Sequence, residues 1–112
     1  MDVIILAVYL IEAGIYALTA FILFKKHSVF PDFSIGYHTR AAMKSKEKWE
    51  FANRIAGITS GVLSAIIVAA AVLLMIFKAS QSVTIVCLFV VSLIAIGGVL
   101  LIPLGMMKKK FG

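Results

Sequence analysis

The sequence predicts an all-α integral membrane protein with three transmembrane helices, and three observations carry that reading. The 112 residues are 62% hydrophobic and only 14% charged, with a mean hydropathy of +1.10. A water-soluble globule of this size with that balance would leave much of its surface apolar. The apolar residues fall in three runs, each at least as long as the roughly 20 residues that carry a helix across a ~30 Å hydrocarbon core. Charges, finally, gather between and after those runs rather than within them.

The first run, residues 3–24, follows Met1 and Asp2 rather than a basic cluster. No small-x-small site follows it, so it is expected to stay as a span and not to be removed as a signal peptide. Glu12 is its one acidic residue. It lies near the expected bilayer midplane, where an ionised carboxylate is costly, so it should face the bundle and meet polar partners such as Ser64 or Ser92. An ion or proton site and a neutral acid bonding two helices together are both open for it.

The second run, residues 55–77, carries Gly57, Gly61, Ala65 and Ala69 at four-residue intervals, with Ala52, Ala56, Ser60 and Ser64 on the adjacent stripe. Small residues let helix backbones approach closely, which is a main route to association in lipid. This helix is therefore expected at the centre of the bundle, packed against its own chain, with a homo-oligomer as the alternative. The third run, residues 83–107, contains Gly97, Gly98, Pro103 and Gly105, and proline there is expected to kink it. Its Cys87 is the single cysteine of the chain and forms no disulfide within it.

Orientation follows from the basic residues. Lys25, Lys26, Arg40, Lys44, Lys46, Lys48 and Arg54 lie between the first two runs and Lys108, Lys109 and Lys110 follow the third, leaving Lys78 alone in the other link. The positive-inside rule places the richer side in the cytoplasm, with the N-terminus outside and the C-terminus inside. The net charge of +6 is thus assigned to topology and to the lipid bilayer, or to an acidic protein partner, and not to direct nucleic-acid binding.

Segment 25–54 is the polar part of what reads as a single membrane domain over 1–112. "VFPDFSIGYHT" sets turn-forming residues among aromatics, so Phe30, Phe33 and Tyr37 are expected to dock this loop on the bundle or membrane surface. Ser45 can cap a helix with Glu47 in its first turn and no proline or glycine before Gly57, running straight into the second span. Lys46, Glu50 and Arg54 at four-residue spacing suggest an ion-pair ladder. Trp49 and Asn53 lie one turn apart on one face with Arg54 adjacent, predicting one cluster with Tyr37 and Thr39 in which Asn53 and Arg54 bond loop carbonyls.

P-D-F-S-I-G-Y-H-T-R followed by S-K-E-K-W-E-F-A-N-R-I-A-G, residues 31–40 and 45–57, resembles the signature of the bacterial SdpI (SdpI/YfhL) family of membrane immunity proteins. That signature has a proline with an amide or acid, then G-[YF]-R-T, then E-x-W-x-x-A-N-R leading into a span. Carried over by position, the resemblance implies Pro31, Gly36, Tyr37, Thr39, Trp49, Ala52, Asn53 and Arg54 as signature residues. His38 stands where the family usually has arginine, with Arg40 close by as an alternative cation. The resemblance further implies protection of a bacterial cell from a secreted peptide toxin, with a cytoplasmic repressor as a second partner.

Among other classes, a small transporter or channel subunit using Glu12 is the alternative. An enzyme is disfavoured, since neither an H-E-x-x-H pattern nor a nucleophile elbow occurs. His27 and His38 lack the clustered ligands a metal needs. No catalytic residue, metal or cofactor is therefore assigned.

Overall fold

The structure, a computed structural model, describes residues 2–111. Three helices carry it, α1 over Val3–Lys25, α2 over Lys46–Ile76 and α3 over Gln81–Phe111, with a single 3-10 turn at Ala42–Lys44 in the long connection. Each helix is long and apolar enough to cross a membrane, and among the described residues there is no strand. The chain is a multi-pass membrane protein.

Local chemistry sets the ends. Asp2 accepts the amide of Ile4 at 2.7 Å and starts α1. Ser45 accepts that of Lys48 at 3.1 Å and starts α2, with Glu47 in the first turn. From this cap α2 runs 31 residues without interruption, about 46 Å at 1.5 Å per residue. That exceeds a ~30 Å core, so one end must project. The projecting end is its first two turns, next to the loop. α3, also 31 residues, continues through Pro103 to Phe111 and projects at the same end. The expected spans 55–77 and 83–107 are thus the apolar parts of longer helices. At the opposite end Lys78 closes α2 in a left-handed conformation, φ 51°. Ala79 there donates to Leu74 O at 3.0 Å and Lys78 to Met75 O at 3.1 Å, a Schellman ending with lysine where glycine is usual.

α2 is the centre of the bundle, packed along α1 and along α3, while α1 and α3 meet only through a few side chains. Close approach explains the first contact. A methyl group on Gly57 would stand 2.9 Å from both Cβ and backbone N of Phe24 and 3.1 Å from Ala20 O, so the two backbones are nearly touching there. At Gly61 the nearest atom, Ala20 Cβ, is already 3.6 Å away. Ala65 and Ala69 are exposed, so the four-residue stripe packs at its loop end only. Ile67 and Ala71 take over at the other end, buried with Ile5, Tyr9 and Ala13 of α1. The remaining apolar side chains, Leu93 and Phe89 among them, face outward at 71% and 67% exposure. Hydrocarbon rather than water is the solvent they suit.

Candidate functional site

The loop between α1 and α2 is closed on itself before it meets the helices. The amide of Ser28 donates to Ile35 O at 2.8 Å and that of Ile35 to Ser28 Oγ at 2.7 Å. Within this ring Asp32 accepts the amide of Ser34 at 3.0 Å and its hydroxyl as well. The Ser34 hydroxyl, followed by its amide, holds the Asp32 carboxyl below its ordinary value of 3.8, so the turn is built around an anion. Pro31 lies at the exposed tip, joined to Phe30 by a cis peptide bond.

The ring is then clamped to the start of α2. Trp49, fully buried, donates its indole Nε1–H to Ser28 O at 2.7 Å. One turn later Asn53, also fully buried, accepts the amide of Tyr37 on Oδ1 at 2.7 Å and donates from Nδ2 to Trp49 O at 2.8 Å. Both ends of the Asn53 side chain are satisfied, so its orientation is fixed. Gly36 is what lets the loop come this close. Its φ is +155°, and a Cβ there would lie 2.5 Å from Trp49 Cζ2 and 2.6 Å from Asn53 Oδ1.

Tyr37 extends the clamp to the third helix. Its side chain is buried among Leu23, Trp49, Ala52, Ala56 and Met107, and its hydroxyl donates to Leu100 O of α3. Burial pushes the phenol above its ordinary value of 10.0, so it remains a neutral donor. One residue therefore holds α2 through its amide and α3 through its hydroxyl.

His38 and the two phenylalanines frame the indole. Phe33 meets Trp49 edge-on at 5.0 Å, Phe30 meets Phe33 at 5.5 Å, and His38 meets Trp49 at 6.0 Å. His38 Nε2 bonds Phe33 O. A carbonyl only accepts, so Nε2 carries the proton, and arginine could donate to the same oxygen. Thr39 accepts the amide of Ala42 at 3.3 Å and starts the 3-10 turn. Ala52, fully buried, forms the floor. Arg40 is exposed.

Two details differ from the sequence reading. Asn53 takes a loop amide rather than giving to a loop carbonyl, and the group that does bond a loop carbonyl is the indole of Trp49. Arg54 stands outside the cluster, exposed, with its guanidinium 5.9 Å over the Phe51 ring instead of in a ladder with Glu50 and Lys46. There it lines a separate open recess of about 470 Å³ with Glu47, Glu50, Phe51, His27 and Lys110. This mixed-charge recess, where α2 projects from the bundle, had no sequence signal, because its walls come from all three helices.

The intramembrane polar residues also sort themselves. Glu12 Oε2 lies 3.0 Å from Ser92 Oγ, joining α1 to α3. That hydroxyl is also 2.7 Å from Leu88 O, and its single proton serves one acceptor at a time. Ser64 is not a partner of Glu12: it donates to Ala13 O at 2.7 Å and joins α2 to α1. Tyr9, fully buried, donates to Thr84 O at 2.8 Å near the far end. Among the described residues Ser60 Oγ is the one buried side-chain polar atom without a partner. No three metal-binding side chains gather there either.

The fold and site together define a three-span membrane protein that carries a rigid aromatic and amide clamp at one end. The chain matches the SdpI/YfhL protein family over residues 30–104, two thirds of its length, and belongs to that family. The match opens at Phe30 in the clamped loop and ends at Leu104 on α3, so it takes in Gly36, Tyr37, Trp49, Asn53 and Leu100 but not Ser28, Leu23 or Met107. No curated protein and no solved structure is significantly similar to the chain.

Proposed function

We propose that this chain is a non-enzymatic membrane immunity and signalling protein. It protects a bacterial cell from a secreted antimicrobial peptide, its spans engaging the amphipathic peptide while the clamped loop holds a regulator at the inner face. The family supports the first part. The observation that carries the second is Tyr37, whose two bonds tie the loop surface to α2 and α3 together. In this reading the loop end lies in the cytoplasm, on the strength of ten of the eleven basic residues.

Expression in a strain sensitive to a secreted antimicrobial peptide should restore survival on challenge with that peptide. Tyr37→Phe at equal membrane abundance should lower it. No protection by the unaltered chain overturns the immunity reading. A reporter active only outside the cell should work fused near Ser80 and fail near Lys44, and the reverse pattern overturns the orientation.

A transporter or channel subunit is the second reading, and the half-buried Glu12–Ser92 pair between α1 and α3 is the observation in its favour.

A further inference from the structure

Beside the clamp, on the face of α2 turned toward α3, lies a second recess of about 180 Å³. Lys44 of the 3-10 turn, Lys48 of α2 and Lys108 of α3 each send a side chain to it, and Leu104, Met107 and Phe111 form its apolar side. Three separate elements thus each bring a lysine to one small recess, Lys44 and Lys108 exposed and Lys48 half-buried, and among the described residues no carboxylate lines it. Three like charges around one recess favour a counter-charge there. Lys48 is half-buried at the edge of the recess, with Nζ 5.8 Å over the Phe111 ring.

The depth of the recess identifies the counter-charge. Leu104 and Met107 are in the last turns of the apolar run of α3, and Lys108, Lys109 and Lys110 follow at once. The recess therefore opens where hydrocarbon gives way to head groups, its lysines at phosphate level and its apolar wall continuing downward. A free anion would use the lysines and leave that wall unsatisfied. An acidic peptide segment would meet the lysines from the water side only.

We propose that this recess binds the phosphate head group of an anionic phospholipid, with the first part of an acyl chain lying along Leu104 and Met107. The site is separate from the clamp and does not depend on the immunity reading. Lipid retained by the purified full chain, in mixed micelles of phosphatidylglycerol and phosphatidylcholine, reads the preference directly by native mass spectrometry.

The unaltered chain should favour phosphatidylglycerol. Each of Lys44→Gln, Lys48→Gln and Lys108→Gln should cut that preference about fivefold, and the three together about a hundredfold, at the per-residue strength of basic groups at a membrane surface. The single variants suffice if the triple variant fails to fold. A charge-matched control, Lys25→Gln with Lys26→Gln and Lys109→Gln, should keep the preference. Equal loss in the control would reduce the effect to overall charge. Displacement of the lipid by inorganic phosphate at the same concentration would assign the recess to a free anion, and displacement by an acidic peptide to a protein partner. Each of these three results overturns the proposal.

Discussion

Gly36→Ala is the sharpest test of the clamp, because one methyl group meets two obstacles at once. The backbone at φ +155° is one that an L side chain adopts with strain of about 1–3 kcal/mol. The added Cβ would also fall 2.5 Å from Trp49 Cζ2 and 2.6 Å from both Trp49 Cη2 and Asn53 Oδ1. Neither neighbour can yield cheaply, since the indole is fully buried and bonded to Ser28 O and Asn53 is bonded at both ends. Overpacking of this kind costs about 1–3 kcal/mol, so the closed loop is raised by about 4 kcal/mol in all. Against this, the bonds from Trp49 and Tyr37 that hold the loop to α2 contribute about 1 kcal/mol each. Contact of Phe33 with the indole adds about 1 kcal/mol more. The cheaper course is for the loop to leave the helix while the α1–α2 contact at Gly57, more than a turn away, is undisturbed. Trp49 is the sole tryptophan, so its emission reports the event without interference. It should shift to the red and become accessible to acrylamide, and trypsin should cut faster at Arg40 and Lys44. Unchanged emission and unchanged cleavage would refute the close approach of loop and helix on which the clamp rests.

Gly57→Ala should weaken the bundle by about 1–3 kcal/mol, because its methyl group meets the backbone of Phe24 at 2.9 Å, whereas Gly61→Ala, with 3.6 Å to Ala20 Cβ, should be tolerated; thermal unfolding in one detergent compares them. Asn53→Asp keeps an acceptor for the Tyr37 amide but sets a carboxylate against Trp49 O in place of a donor. It should cost about 1–3 kcal/mol, read as a red shift of Trp49 emission, and an unshifted spectrum would contradict the assigned orientation. Glu12→Gln retains a partner for Ser92 and should change thermal stability by less than about 1 kcal/mol. If it abolishes survival or transport with folding intact, Glu12 is an ionising site rather than a structural bond.

Much of this arrangement was legible in the sequence where local rules decide it. Hydropathy located the three spans, Ser45 marked the start of α2, and the one-turn spacing of Trp49 and Asn53 put them on one face. Arg54 was misplaced for a reason that is also local: one step along a helix turns a side chain by about 100°, so a neighbour of Asn53 points elsewhere. The small-residue stripe failed in the same way. Each four-residue step overshoots a full turn by about 40°, which carries Ala65 and Ala69 off the face that Gly57 presents to α1. What the sequence could not supply was register between helices. Whether Ser64 or Ser92 meets Glu12, and which loop carbonyl receives the Trp49 indole, depends on how far one helix slides along another, which the pattern of a single helix does not encode.

Tyr37 gives that sliding a mechanical meaning. Its amide is fastened to one helix and its phenol to the next, with a stiff aromatic ring between them, so it works as a strut of fixed length. If α3 rides up or down by an ångström relative to α2, the strut must tilt or let go at one end, and the ring of residues 28–35 moves with it. α1 meets α3 through the bonds of Tyr9 to Thr84 O and of Glu12 to Ser92, which such a shift must also strain. The position of the loop is thus tied, through one side chain, to the height of one membrane helix against another.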